Sequence, residues 1–154
     1  MNWPDQPIVI VDIDGTLADG THREHFIRKT PKDWKNYLGG TSEDVPILHV
    51  FRWVQELSKD HTIVIATGRM EERRQPTLEW FERVWAEGAP RFPVFKYYFR
   101  PQNDYRPDYE VKPEFLKDMP TQPVLILEDR PSVIRMWRGL GLNVIPVKGE
   151  CEDF

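Results

Sequence analysis

Cysteine is nearly missing: the 154 residues hold one, Cys151, so no internal disulfide is available and the fold must stand on its own core, as suits a reducing cytoplasm. Long apolar runs are missing too, since no stretch approaches the roughly 20 residues that cross a bilayer, and the N-terminal MNWPDQP lacks a basic region followed by an apolar one. A soluble protein with no membrane partner is expected. Neither sign of charge dominates, with 21 Lys and Arg against 25 Asp and Glu and a formal net charge of −4. Bulk charge therefore gives no general attraction to nucleic acid, and any phosphate must be gripped by a local cluster of cations. Repeats, low-complexity tracts and linkers are also absent. The four histidines show no metal-ligand spacing with a cysteine and read as solvated or satisfied side chains.

What is present fits one domain over residues 1–154, with 40% hydrophobic and 30% charged residues. Short β-branched runs recur: IVIV at 8–11, TIVIA at 62–66, VFKYYF at 94–99, VLIL at 124–127 and NVIPV at 143–147. They read as buried parallel strands, the third weakened by Lys96. Helical spacing lies between them in VPILHVFRWVQELSK at 45–59, TLEWFERVWAEG at 77–88 and PSVIRMWRGLG at 131–141, the last with Pro131 at a first helical position. Alternating strands and helices predict an α/β fold, a doubly wound, mostly parallel sheet with helices on both faces. The least regular stretch is Thr21 to Gly40, with two short helices at HREHFIRK and KDWKNYLGG, too small to be a domain. The six tryptophans are expected in the core and on packed helix faces.

In such sheets ligands bind outside the carboxyl ends of the strands. The first strand ends in Asp12-Ile13-Asp14-Gly15, which puts two carboxylates on one side if the chain stays extended, while Gly15 permits a sharp turn. Carboxylates held a few Å apart raise each other's pKa unless a cation neutralises them, and magnesium fits a small acidic site that also admits phosphate oxygens. The second run ends in Thr67-Gly68-Arg69, a hydroxyl, backbone N–H groups and a guanidinium suited to a phosphate. The fourth ends in Glu128-Asp129-Arg130. Lys112 precedes Pro113, which is expected to start a helix and leave the ammonium near its positive end. Asp12 is the candidate nucleophile and Asp14 the acid and base.

DIDGT at 12–16, ATGR at 66–69, Lys112 and EDR at 128–130 together resemble the haloacid dehalogenase (HAD) superfamily of phosphohydrolases, with its four motifs in order. The resemblance implies a Rossmann-like HAD sheet, Asp12 as nucleophile, Asp14 as acid/base, Thr67 as phosphate-binding hydroxyl, Lys112 as charge stabiliser, and the acidic pair, with Asp12 and Asp14, as magnesium ligands. RPQNDYRPDYEVK at 100–112, LILEDRPSVIRMWRGLG at 125–141 and the ending CEDF look like the 3′-phosphatase domains of phage polynucleotide kinase/phosphatases. That closer likeness implies that Gly68, Arg69, Arg100, Arg106 and Arg130, with Asp104, meet the phosphate or the polynucleotide end. Glu128 departs from the Asp usual there. No G-x(4)-G-K-[ST] phosphate loop occurs, so a kinase domain is not expected in this chain.

The gap between the first two motifs leaves room only for a minimal cap, so the mouth should be open, with His22, Arg23, Arg28 and Lys29 along its rim. The substrate implied is a phosphorylated nucleic-acid end or nucleotide, with removal of a 3′-phosphate. Two rivals remain: a phosphatase of free 5′-nucleotides or other small esters, and an inactive module that binds phosphorylated ends. Tyr97, Tyr98 and Phe99 read as strand core ahead of a stacking platform. No motif bears on oligomeric state.

Overall fold

The computed structural model describes residues 2–148; Cys151 and the CEDF ending lie outside them. Five parallel strands form the sheet: β1 (Ile8–Val11), β4 (Thr62–Met70), β5 (Lys96–Arg100), β6 (Leu125–Glu128) and β7 (Val144–Pro146), in the order β5-β4-β1-β6-β7. β1 lies in the middle, in register with β4 from Ile8↔Thr62 and with β6 from Val9↔Leu125. All four of its residues are buried, as two-sided coverage requires.

Alternation along β1 divides the core. Val9 and Val11 face Phe51 and Val54 of α3 (Leu48–Leu57) and Trp80, Phe81 and Val84 of α4 (Arg74–Ala86). Ile8 and Ile10 face Val111 of α5 (Asp108–Val111), Phe115, and Val133 and Trp137 of α6 (Pro131–Gly139). Helices thus cover both faces, as a period of two in the strand and 3.6 in the helices demands. Tyr98 and Phe99 are buried, with Tyr98 stacked on Phe115 at 5.2 Å, so they are core. Lys96 is tolerated because β5 is an edge strand and its ammonium reaches Asp118.

Three expectations shift. α3 starts at Leu48, because Val45–Pro46 (β3) pairs antiparallel with Ala18–Asp19 (β2) in a two-stranded ribbon. Pro113 does not open an α-helix; a 3₁₀ segment, Lys112–Asp118, follows directly on α5. Trp80 and Trp137 are buried, but Trp34 and Trp53 are exposed, at 52% and 45%. The insertion contributes the short helices α1 (His25–Arg28) and α2 (Trp34–Gly39), the latter capped by Asp33, which accepts from the Asn36 N–H at 3.1 Å. No described helix is long and apolar enough to cross a membrane.

Candidate active site

The end of β1 sets the first group in place. The Asp12 N–H still donates to Leu127 O at 3.1 Å, but the chain then folds over: Ile13 O accepts the N–H groups of Thr16, Leu17 and Ala18 at 3.0, 2.8 and 2.9 Å. Extended structure does not persist, and the two aspartates part. Asp12 is buried, its Oδ1 accepting from Lys112 Nζ at 2.8 Å and its Oδ2 from Thr16 Oγ1 at 3.2 Å. Asp14 turns to Arg69, which donates from Nε and Nη2 at 3.0 and 2.7 Å, and to Arg23 Nη2 at 3.0 Å.

These settings give the carboxyls opposite electrostatics. Burial pushes Asp12 up to about 7, Glu128 beside it adds to the rise, and Lys112 offsets only part of it. Burial alone would also raise Asp14, yet Arg69, Arg23 and Lys112 more than cancel that and hold it down at about 2. Burial disfavours the Lys112 ammonium, but Asp12 and Glu128 raise its pKa and keep it charged.

Behind Asp14 lies a network that sequence reasoning missed. Arg23, expected on the rim, is 2% exposed. It donates to the fully buried Asp44 from Nε at 2.7 Å and Nη2 at 2.8 Å, and lies over the Tyr37 ring at 4.4 Å. Arg69 reaches the same Asp44 at 3.4 Å and Thr77 Oγ1 at 3.1 Å. Trp80 Nε1 donates to Asp44 O at 2.8 Å, fixing the backbone that carries the acceptor. Two guanidiniums nearly inaccessible to water therefore share the fully buried Asp44 and the part-exposed Asp14, an arrangement that holds only if every buried donor has a partner.

On the other side of Asp12 the acids outnumber the cations. Asp12, Glu128 and Asp129 each offer an oxygen within 4.8 Å of the others, the one such group among the described residues. Burial and the Asp12 charge push Asp129 up to about 6, against the pull of Lys148 at 3.1 Å. Asp12 and Asp129, both pushed up, with Glu128 beside them and Asp129 on the cleft wall, fit a hard dication, which takes oxygen ligands and relieves carboxylate repulsion. Asp14, expected among the ligands, is not in the group, because its oxygens are committed to the guanidiniums. Glu128 uses its extra methylene to do two things: Oε2 accepts from Lys112 at 2.7 Å, and Oε1 accepts the N–H groups of Asp129 and Arg130 at 3.1 and 3.2 Å. Gly15, at φ 82°, is required by proximity, since a Cβ there would stand 1.9 Å from Asp129 Oδ2.

Thr67, Gly68 and Arg69 lie within β4, where the pairing with β5 shifts register between Ala66 and Met70. Thr67 Oγ1 accepts the Arg69 N–H at 3.1 Å, which leaves its own proton for another acceptor. Gly68 makes room for Asp108, whose Oδ1 would lie 2.5 Å from a Cβ. Asp108, also missed, joins Arg100 and Arg130, the latter through Nη1 at 2.9 Å. Arg100 is buried and turned onto its own loop, donating to Gly68 O at 2.8 Å, to Asp104 O at 3.1 Å and to Arg106 O. Arg106 is clipped to Asp104 at 2.7 Å and Glu114 at 2.9 Å. The structure thus gathers Asp12, Asp14, Thr67, Arg69, Lys112, Glu128 and Asp129, and holds Arg100 at the end of β5 and Arg106 on the loop that follows.

A cleft of about 330 Å³ opens beside these groups. Asp14, Gly15, Asp129 and Arg130 form one wall, and Ile27, Arg28 and Tyr37 of the insertion form the other.

Three comparisons bear on this geometry. The model of a family described as the polynucleotide kinase PNKP phosphatase domain matches residues 6–151. A protein of Autographa californica nuclear polyhedrosis virus, described as a candidate bifunctional polynucleotide kinase/RNA ligase, is 28% identical over 151 residues, covering 95% of this chain and 20% of its own length. Among solved structures, a chain of the Pnkp1/Rnl/Hen1 RNA repair complex superposes with a TM-score of 0.71 at 22% identity, over 94% of this chain and 43% of that one. A hydrolase from Streptococcus pneumoniae TIGR4 does so at 0.61 and 15% identity, over 93% of both. The chain therefore spans about a fifth of the viral relative and under half of the repair-complex chain, while the small hydrolase matches it end to end in fold.

Proposed function

This chain belongs to the polynucleotide kinase PNKP phosphatase-domain family of HAD phosphatases, and from that premise we propose that it is a magnesium-dependent phosphomonoesterase that removes 3′-phosphates from nucleic-acid ends through a phospho-Asp12 intermediate. The observation that carries the reading is the split at the end of β1. One carboxylate lies against an ammonium within an acidic group, and the other, two residues on, is held ionised by guanidiniums.

In the first step an Asp12 oxygen attacks phosphorus, and the bond from phosphorus to the 3′-oxygen breaks as that oxygen takes a proton from Asp14. In the second, water attacks the phosphorus of the acyl phosphate and gives its proton to Asp14, releasing inorganic phosphate and freeing Asp12. The guanidiniums prepare Asp14 as the base; its acid role requires the carboxyl to take up a proton and swing off Arg69. Lys112 stays beside Asp12 throughout, and Thr67 donates to a phosphoryl oxygen. Magnesium on Asp12 and Asp129, with Glu128 alongside, would screen the phosphoryl charge and keep Asp12 ionised. Arg130 on the cleft wall supplies a donor for the incoming phosphate. The cleft's volume suits one nucleotide, which supports a terminal nucleotide as the group that enters it.

The test is phosphate release from matched oligonucleotides carrying a 3′- or a 5′-phosphate, and from free 5′-nucleotides, each with magnesium and with chelator. Metal-dependent release confined to the 3′-phosphorylated strand is expected. Faster turnover of the free nucleotides would transfer the reading to small esters, and no turnover of any substrate would leave a binding module.

A further inference from the structure

The segment from Glu24 to Tyr37 is charged unlike the rest of the molecule. It holds Arg28, Lys29, Lys32 and Lys35 against Glu24 and Asp33, in a chain whose formal net charge is −4. Arg28 pairs with Glu24 at 2.6 Å and Lys29 with Asp33 at 3.3 Å, but both are exposed pairs of small worth. Lys35 has no ion pair among the described residues. Interleaved with these cations is Trp34, 52% exposed, set edge-on to Tyr37 at 5.8 Å, with Lys32 over its ring at 5.6 Å. An exposed indole beside two ammonium groups without a carboxylate partner, Lys32 and Lys35, is the chemistry that stacks a base while binding phosphates.

Placement gives that chemistry a direction. Tyr37 and Arg28 line the cleft beside Asp14 and Asp129, and Trp34 is the next ring outward from Tyr37. The segment is also anchored to the reaction centre. Arg23 donates to Asp14 at 3.0 Å, to Asp44 at 2.7 Å and to Tyr37 O at 3.3 Å. A chain end whose terminal nucleotide fills the cleft must leave past Tyr37 or along the opposite flank. On that flank Arg106 and Arg130 already face Asp104, Glu114 and Asp108. On the insertion side Arg28 and Lys29 are paired as well, but among the described residues Lys32 and Lys35 have no carboxylate partner and remain available to a strand.

We propose that the insertion is a rail for single-stranded nucleic acid, on which Trp34 stacks a base on the 5′ side of the terminal nucleotide while Lys32 and Lys35 hold the flanking phosphates. The rail rests on the 3′-end reading for its orientation, but its binding is measurable without catalysis. The probe is a fluorescein-labelled single-stranded decanucleotide ending in a 3′-hydroxyl, followed by anisotropy across a salt series. Wild-type protein should bind it with a clear salt dependence. The double variant Lys32→Glu/Lys35→Glu should flatten the log–log salt slope by about 0.7 for each phosphate that is no longer neutralised. Trp34→Ala should weaken binding about tenfold, while Trp34→Phe, which keeps a ring, should retain most of it.

In turnover, the ratio of kcat/KM on a 3′-phosphorylated pentanucleotide to that on p-nitrophenyl phosphate should fall with the same variants, a ratio that a general loss of folding would not move. Binding and ratio both unchanged in the charge-reversed and Trp34→Ala proteins would overturn the rail while leaving the phosphatase reading intact. Strand binding that depends on these residues, in a protein that releases no phosphate from any 3′-end, would uphold the rail and sink that reading.

Discussion

The two sides of the β1 turn handle negative charge in opposite ways. On the Asp14 side, Arg23, Arg69, Asp14 and Asp44 balance one another within the protein, and the carboxyl is held at about 2. On the Asp12 side, Asp12 and Glu128 share one buried ammonium, Asp129 has only the exposed Lys148, and Asp12 and Asp129 are pushed up to about 7 and about 6. Residue type and spacing along the chain are no guide to this difference; the partners that the fold delivers decide it. One side is balanced within the protein, and the other, on the proposed reading, would be completed by a metal ion.

The sharpest way to break the contrast is Asp12→Asn, which removes the nucleophile from the incomplete side. Turnover should fall by on the order of 10⁴-fold or more. Lys112 keeps Glu128 as a partner, so the circular dichroism spectrum should be unchanged. A variant with wild-type turnover would refute the phospho-Asp12 route.

The complete side should be the more costly to damage in stability. Asp44→Ala takes the shared acceptor from Arg23 and Arg69, both nearly inaccessible to water. Stranding buried guanidiniums costs about 3–5 kcal/mol. An unfolding free energy from urea titration lowered by that amount, and so a lower midpoint, with lower turnover because Asp14 loses its clasp, is expected. A midpoint close to wild type would show that water replaces Asp44.

Acidity sharpens the comparison further. In metal-free protein, folded Asp12 and Asp129 hold protons that the unfolded carboxyls release near 3.8. Stability contributed by these groups is therefore greatest below about 4 and declines as pH rises through about 6 to 7. Asp14 works in the opposite sense, its contribution being present above 3.8 and lost as pH falls through about 2. Magnesium should raise the melting temperature more at pH 8 than at pH 5, reflecting a stabilisation of up to about 3 kcal/mol at roughly 100 times its dissociation constant. An equal gain at both would count against the acidic group as the metal site.

The smallest effect is expected at Arg106→Ala. Its pairs with Asp104 and Glu114 are exposed, and exposed pairs contribute little. The thermal unfolding curve should overlay that of wild type.

Much of this architecture was legible because it is written locally. The IVIV, TIVIA and VLIL runs locate three central strands, and Asp12, Thr67, Lys112 and Asp129 follow at strand ends or in compact motifs. What escaped was long-range pairing. Arg23 and Asp44 lie 21 residues apart with no periodicity between them, and nothing in the sequence marks a charged residue in the insertion as buried rather than on the rim. The expectation that the Asp12 and Asp14 carboxyls would lie on one side assumed an extended chain, and the turn at Ile13 with Gly15 at positive φ parts them. Asp108 was hidden behind Gly68, whose missing side chain registers only once the two segments are seen together. The tryptophans divide for the same reason, since an indole on a short surface helix has the same letter as one in the core.

Glu128 gives Lys112 a counter-charge that the reaction never consumes. On the proposed route, in which Asp12 trades its anion for a covalent bond to phosphorus, the ammonium would keep a neighbour of opposite sign and have no reason to shed its proton or leave its post. The extra methylene that sets this position apart from an aspartate thus acts as ballast, steadying the pocket while its nucleophile is temporarily spoken for.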